Sequence, residues 1–221
     1  LAGLALGSTA LAQPCPQDCP QQSRVTICYE GGRVDGWGAP DDPATPRASF
    51  NALLATIPPV KGFDNASVNA RFGHTFQNLP CGIIGATLTV QLRAENDISQ
   101  NDSLGLQWTG SGFVYGTPLS SLPGAGGTWN PGQTNTVTLN LTAIPGLIAS
   151  MNSNRALDLY LQDDSSIEHA RLAIRALFEH CNTRRTYHSI NPLAPAQYKK
   201  IMQAGSQNKI KGCPTFRGGL Q

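Results

Sequence analysis

Charge is scarce in this sequence: 14% of its 221 residues are Asp, Glu, Lys or Arg, against the ~25% usual in soluble domains. That excludes a charge-rich disordered chain and argues against a cytosolic helical protein. Methionine is nearly missing, with 2 residues, and aromatics make up only 7%. Long apolar runs are missing too. Nothing approaches the ~20 residues a bilayer-spanning helix requires, so no transmembrane segment is expected. The usual catalytic signatures are also missing: there is no G-x-S-x-G, H-E-x-x-H or P-loop. His74, His169, His180 and His188 belong to no such motif. Asp163 and Asp164 are neighbours that a strand would point to opposite faces, so they cannot serve as a glycosidase's paired carboxyls. No catalytic residue is assigned, and an enzyme is not expected.

Glycine (23), proline (16) and cysteine (6) are what the chain does have. Leu1–Ala12 (LAGLALGSTALA) reads as the apolar region and A-x-A cleavage pattern of a secretory signal peptide. Cys15, Cys19, Cys28, Cys81, Cys181 and Cys213 form an even set, which in an exported chain favours disulfides. Their connectivity stays open, with Cys181–Cys213 favoured as a closure of the tail. Zinc is disfavoured, because Cys15-x3-Cys19 has no second pair to complete four ligands. The expected location is secreted, extracellular or at a cell surface.

The pattern divides the chain into four parts. Residues 1–12 are the signal segment, and 13–62 form a Cys/Pro/Gly-rich stretch with a strand at Ser23–Tyr29 and a short helix at Ser49–Thr56. Residues 63–176 form the main domain and 177–221 a basic tail holding a short helix at Pro195–Ala204. In the main domain apolar residues alternate with polar ones over Ala86–Arg93, Ser103–Trp108, Thr134–Leu141, Ala156–Gln162 and His169–Arg175. This is the period of half-buried strands, with Ile144–Asn154 as a helical crossover. The expectation is an all-β chain: an antiparallel β-sandwich of jelly-roll type, with short helices and irregular N- and C-terminal arms. Charge is unevenly placed. Residues 1–174 carry 8 Lys+Arg and 13 Asp+Glu, net −5, while 175–221 carry 8 against Glu179 alone, net +7.

Three sets of side chains are candidates for function. Trp129 in GGTWNPG, Tyr115, and Tyr160, which alternates against inward leucines, could stack on sugar rings. Trp129 reads equally well as a lid over the sandwich edge. Trp108 follows the inward phase of Leu104 and Leu106, and Trp37 is either platform or packing. Asp163, Asp164 and Glu168, near the Asn96-Asp97 and Asn101-Asp102 turns, are the ligands expected for a structural calcium, the one cofactor the chain suggests. The alternative is that these Asp and Asn residues simply form turns. His74 is read as structural, facing outward or bonding a loop backbone. The basic tail suits polyanions or the acidic body of another copy, or is merely solvated. Nucleic acid is not expected.

Two segments carry a resemblance. ARFGHTFQNLPCGIIGATLTVQLRA (Ala70–Ala94) resembles the opening of extracellular jelly-roll modules, such as DNRLRE-type cell-surface domains and galactose-binding-like carbohydrate-binding modules. ALDLYLQDDSSIEHARLAI (Ala156–Ile174) is similar to their closing strand, with His169 where an aromatic is common. The resemblance covers about half the chain and implies an extracellular binding fold. The first functional expectation is therefore a secreted, non-catalytic module that binds polysaccharide or glycoconjugate at a cell surface or matrix. The second is a structural subunit of a filament, coat or matrix that assembles with copies of itself through its terminal arms.

Overall fold

Alternating residues produce strands here because one face of each strand has an apolar layer to bury against. In the computed structural model, which describes residues 22–37, 43–96, 102–122 and 129–179, these strands form two stacked sheets. In chain order the elements are β1 (Gln22–Gly32), α1 (Ala48–Leu54), β2 (Val60–Lys61), β3 (Ala70–Gln77), β4 (Ile83–Ala94), β5 (Ser103–Trp108) and β6 (Phe113–Pro118). After them come β7 (Thr134–Asn140), α2 (Leu147–Asn154), β8 (Ala156–Asp163) and β9 (Ser165–Glu179). One sheet runs β1-β9-β4-β7 and the other β2-β3-β8-β5-β6. All pairs are antiparallel except β2–β3.

The wiring is that of a jelly roll. Set the two-residue β2 aside, and the pairs β1–β9, β3–β8, β4–β7 and β5–β6 nest inside one another from the chain's ends to its middle. One long antiparallel ribbon, closed at the β5–β6 hairpin, has been rolled into a sandwich. The hairpin turn holds itself, with the Thr109 N–H donating to the Gly112 carbonyl at 2.9 Å. The core between the sheets comes from the predicted phases: Leu88, Val90 and Leu92 on β4, Leu104 and Leu106 on β5, Val137 and Leu139 on β7, Leu157, Leu159 and Leu161 on β8, and Leu172 and Ile174 on β9.

Four readings need correction. The sandwich does not begin at residue 63: β1 pairs with β9 over its whole length, from Gln22↔Glu179 to Gly32↔His169. The outermost strand of the roll is thus drawn from the 13–62 segment, because the last strand needs a partner for its backbone groups. His74 does not face outward. It lies opposite Leu159 with Phe72 and Phe76 on its own face, as spacing by two requires, and it is buried. Trp108 does not continue the inward phase of Leu104 and Leu106. Gln107 takes a left-handed φ of 59°, which turns the chain and delivers Trp108 to the outer face of the five-stranded sheet. β6 was not expected at all, since FVYGTP shows no alternation.

Cys28, on β1, and Cys81, between β3 and β4, each take part in a disulfide. Leu1–Ala12, Pro195–Ala204, Asp97, Asn101, His180, His188, Cys15, Cys19, Cys181 and Cys213 lie outside the described residues, and so does the pairing favoured for the tail.

Candidate functional site

The aromatic candidates are taken up by packing. Trp129 is 0% exposed and sits in the main core. A turn-tip position does not keep it exposed, because an indole buried against the core removes far more area from water than a turn residue would. It is part of the core, not an exposed platform. Tyr160 does face away from the leucines, as alternation requires, but α1 covers it. Its ring stacks on Phe113 at 4.9 Å and meets Phe50 edge-on at 6.3 Å. Tyr115 is partly buried against the core. Trp37 lies beneath a guanidinium, with Arg93 4.5 Å above its ring. The aromatic pair left half-exposed on the outer face is Trp108 with Phe113, 5.3 Å apart. Alternation could not reveal it, because one backbone angle at Gln107 decides it.

α1 and the strand-like residues before it are strapped across the outer face of the five-stranded sheet. Phe50 and Leu54 supply its buried side. They pack onto Gly73, where a Cβ would stand 2.3 Å from Leu54 Cδ1. A polar latch fixes the strap. Asp158, fully buried on β8, accepts from Arg47 Nε at 3.0 Å and from its second guanidinium nitrogen at 2.7 Å. It also accepts from Thr75 Oγ1 at 2.7 Å and the Trp108 N–H at 3.1 Å. A buried carboxylate is tolerable when its lone pairs are filled in this way. His74 adds a second tie, since its Nδ1 accepts from the Thr45 N–H at 3.3 Å. Only the neutral ring can accept there, and burial pushes its pKa down to about 4. The loop-backbone half of the sequence expectation is therefore right.

The calcium candidates fall at the corner where β8 passes to β9 and the chain crosses from one sheet to the other. Asp163 takes a left-handed φ of 79° there, a conformation Asp accepts more readily than most residues. Among their described members, Asn96, Asp102 and Asp164 do converge, chiefly on backbone groups. Asp102 Oδ1 accepts from the Asp164 N–H at 2.8 Å, and Asp164 Oδ1 accepts from the Asn69 N–H at 2.8 Å. The Asp164 carbonyl accepts from the Glu95 N–H at 2.8 Å. Asp163 lies 3.9 Å from the Arg71 guanidinium. Its pKa is raised by burial and by Asp164 and Asp102.

A buried ammonium anchors this corner. Lys61 Nζ donates to the carbonyls of Ser67 at 2.8 Å and Asp163 at 3.2 Å. Burial lowers its pKa to about 8, and the carboxylates of Glu95, Asp164, Asp102 and Asp163 limit the fall. Glu168 lies apart from the corner, in the bulge where β9 slips against β4. There its Oε1 accepts from the Gly36 N–H at 2.7 Å, and its backbone carbonyl lies against Gly32, where a Cβ would stand 2.1 Å away. Among the described residues no three His, Cys, Asp or Glu side chains come together as a metal set. Sequence reasoning missed Lys61, since nothing in VKGF marks a lysine that will be 3% exposed.

One flank stands out by its chemistry. Between Asp102 and Arg155 the chain carries no charged residue, and this stretch supplies β5, β6, β7 and α2. β1 lies across from β3 and β9 from β8. The order of strands therefore puts the edges β6 and β7 on the same side of the sandwich. No helix among the described residues is long and apolar enough to cross a membrane.

No family model and no curated protein matches the chain. Among solved structures it is similar to the coat protein of Tobacco streak virus in a C2 crystal form. That match has a TM-score of 0.26 and 12% identity, covering 79% of this chain and 98% of that one. The dimer of the same coat protein gives 0.25 and 13%, covering 77% and 94%. At such scores the likeness carries no argument, and the assignment of a jelly-roll sandwich rests on the sheet order itself.

Proposed function

We propose that this chain is a secreted, non-catalytic structural subunit, a jelly-roll module of the extracellular kind that associates with copies of itself. The uncharged flank carries this reading. Residues 103–154 hold many Thr, Ser, Gly and apolar side chains and no charge. Such a surface can be covered by another chain without stripping water from any ion, the costliest part of forming an interface. Attraction between the cationic 175–221 stretch and the rest of the chain would add to it. Yet the described residues are almost balanced, with nine Lys+Arg against ten Asp+Glu. Much of the acidic excess lies in Asp18, Asp41, Asp42 and Asp97, outside them. The neutral flank is the contact that does not depend on this attraction.

Carbohydrate binding has less support, because Trp129 and Tyr160 are consumed in packing. The test pairs sedimentation of the full chain across a concentration series with pull-down on insoluble polysaccharides. Concentration-dependent association without retention on any glycan is expected. Retention lost on Trp108→Ala, with the fold intact, would replace this reading by a sugar-binding module.

A further inference from the structure

Cys28 and Cys81 are each disulfide-bonded, and the sheet register forbids a bond between them. Cys28 lies opposite Ala173 of β9, one residue out of phase with the core pair Ile27↔Ile174, and its Sγ is 3.6 Å from Arg171 Nη2. Cys81 lies level with Phe178. The pairing Ile83↔Ala176 continues there through the Leu177 N–H, which donates to the Gly82 carbonyl at 2.9 Å. Cys81 Sγ accepts from Arg155 Nη1 at 3.0 Å, at the C-terminal end of α2. From Ala173 to Phe178 is five residues of β9, about 17 Å. The Cα atoms of a disulfide are at most about 7 Å apart. Two separate bridges therefore leave the sandwich for cysteines in the flanking segments.

Chain length decides which of those cysteines can reach Cys28. β1 is extended from Gln22 to Cys28, six residues or about 20 Å. Cys19 stands three residues before Gln22, and a chain spans at most about 3.6 Å per residue. Even turned straight back along β1, Cys19 stops about 9 Å short of Cys28, too far for the bond. Cys181 fails for the same reason. Glu179 is opposite Gln22, and the two residues from Glu179 to Cys181 cover only about 7 Å of the way back. Cys15, seven residues before Gln22, and Cys213, thirty-four beyond Glu179, can both reach.

We infer that Cys28 bonds Cys15, Cys81 bonds Cys19 and Cys181 bonds Cys213. Of the fifteen pairings open to six cysteines, this is the one that keeps both the register and the closure of the tail. The Cys181–Cys213 bond takes Cys213 away from Cys28 and leaves it Cys15, and Cys19 then remains for Cys81. Cys19 can reach Cys81, because Phe178 is also opposite Ser23, four residues after Cys19. Each bridge forms as two thiols give two protons and two electrons to a small disulfide or an oxidoreductase outside the cytosol. The segment before β1 is thereby fastened twice, to the outward face of the four-stranded sheet and to its end. β1 is an edge strand that exposes Arg24 and Glu30, and charge is one device that keeps an edge from pairing with another chain. A covalently fastened arm is a second. An arm held in this way is not free to swing out onto another copy, which leaves the neutral flank for that contact.

The test is a peptide map of the full chain by mass spectrometry without reduction, any free thiol being alkylated first. Trypsin places Cys28, Cys81, Cys181 and Cys213 on separate peptides, 25–33, 72–93, 176–184 and 212–217, and a cut before Asp18 parts Cys15 from Cys19. Peptide 25–33 is expected on the Cys15 fragment, 72–93 on the Cys19 fragment, and 176–184 on 212–217. Peptide 25–33 joined to 212–217 overturns the set, since β1 then holds the tail. A bond from Cys28 to Cys19, Cys81 or Cys181, or an alkylated Cys28, overturns the register that underlies it. Chain refolded from a mixture of unlabelled and isotope-labelled copies separates bonds within one chain from bonds between two, and mixed-label pairs overturn the set as well. Self-association is read separately by sedimentation, so either reading can fail without the other.

Discussion

Trp129 is the largest fully buried side chain among the described residues. Its indole is wholly buried against the core, so Trp129→Ala removes a large apolar surface and leaves a cavity. A loss of about 3–5 kcal/mol is expected, read as a lower melting temperature or denaturation midpoint. A platform residue would instead lose binding with stability unchanged. His74 makes a different prediction. Its folded pKa of about 4 lies below the ordinary 6.5, so between these values the unfolded chain binds more protons than the folded one. Stability from this group is therefore complete above pH 6.5 and is lost as pH falls toward 4, by up to about 3 kcal/mol. The difference between wild type and His74→Phe, followed by chemical denaturation across that range, isolates the slope. Asp163 works in the opposite sense, since its raised pKa stabilises the protonated form, and it cancels in that difference.

At the scale of elements, the strap carrying α1 is held by shape and by charge. Arg47→Met leaves Asp158 buried with two of its four donors gone, and breaking such a pair typically costs about 3–5 kcal/mol. Hydrogen exchange should accelerate over residues 47–57, more than in β4 or β9. Gly73→Ala tests the apolar half of the same contact. The added methyl must displace Leu54, and about 1–3 kcal/mol is expected, with Arg47 still paired. The alternating strands were legible in the sequence because each one's burial repeats every two residues. α1 and α2 were legible from the stop at Pro58 and from the Ile144–Asn154 crossover, of which Leu147–Asn154 is helical. β6 was not, since an edge strand with both faces part-exposed has no reason to alternate. The Arg47–Asp158 latch was not legible either: its partners lie 111 residues apart and only the rolled topology brings them together.

At the scale of the whole molecule, nesting decides which surfaces are available. Rolling the ribbon pairs the chain's outer strands with each other, so β1 and β9 end near the protected edge and the middle of the chain supplies the other flank. That flank is the uncharged stretch 103–154. The expected outcome is association that persists at high salt, because no ion pair forms it. Light scattering across ionic strength distinguishes this from docking of cationic arms, which salt would abolish.

The sequence alone determined the strands, their buried faces, the sandwich class and the scarcity of charge, because each is a property of near neighbours. It also showed the Asp/Asn-rich turns, though not the backbone groups that Asp102 and Asp164 would bind. Tertiary structure decided the rest. A left-handed Gln107 moved Trp108 to the outer face, the closing of the core drew Trp129 inside, and the β8–β9 corner set a lysine among carboxylates. Each of these depends on groups far apart in the chain, whose proximity the alternating pattern does not encode.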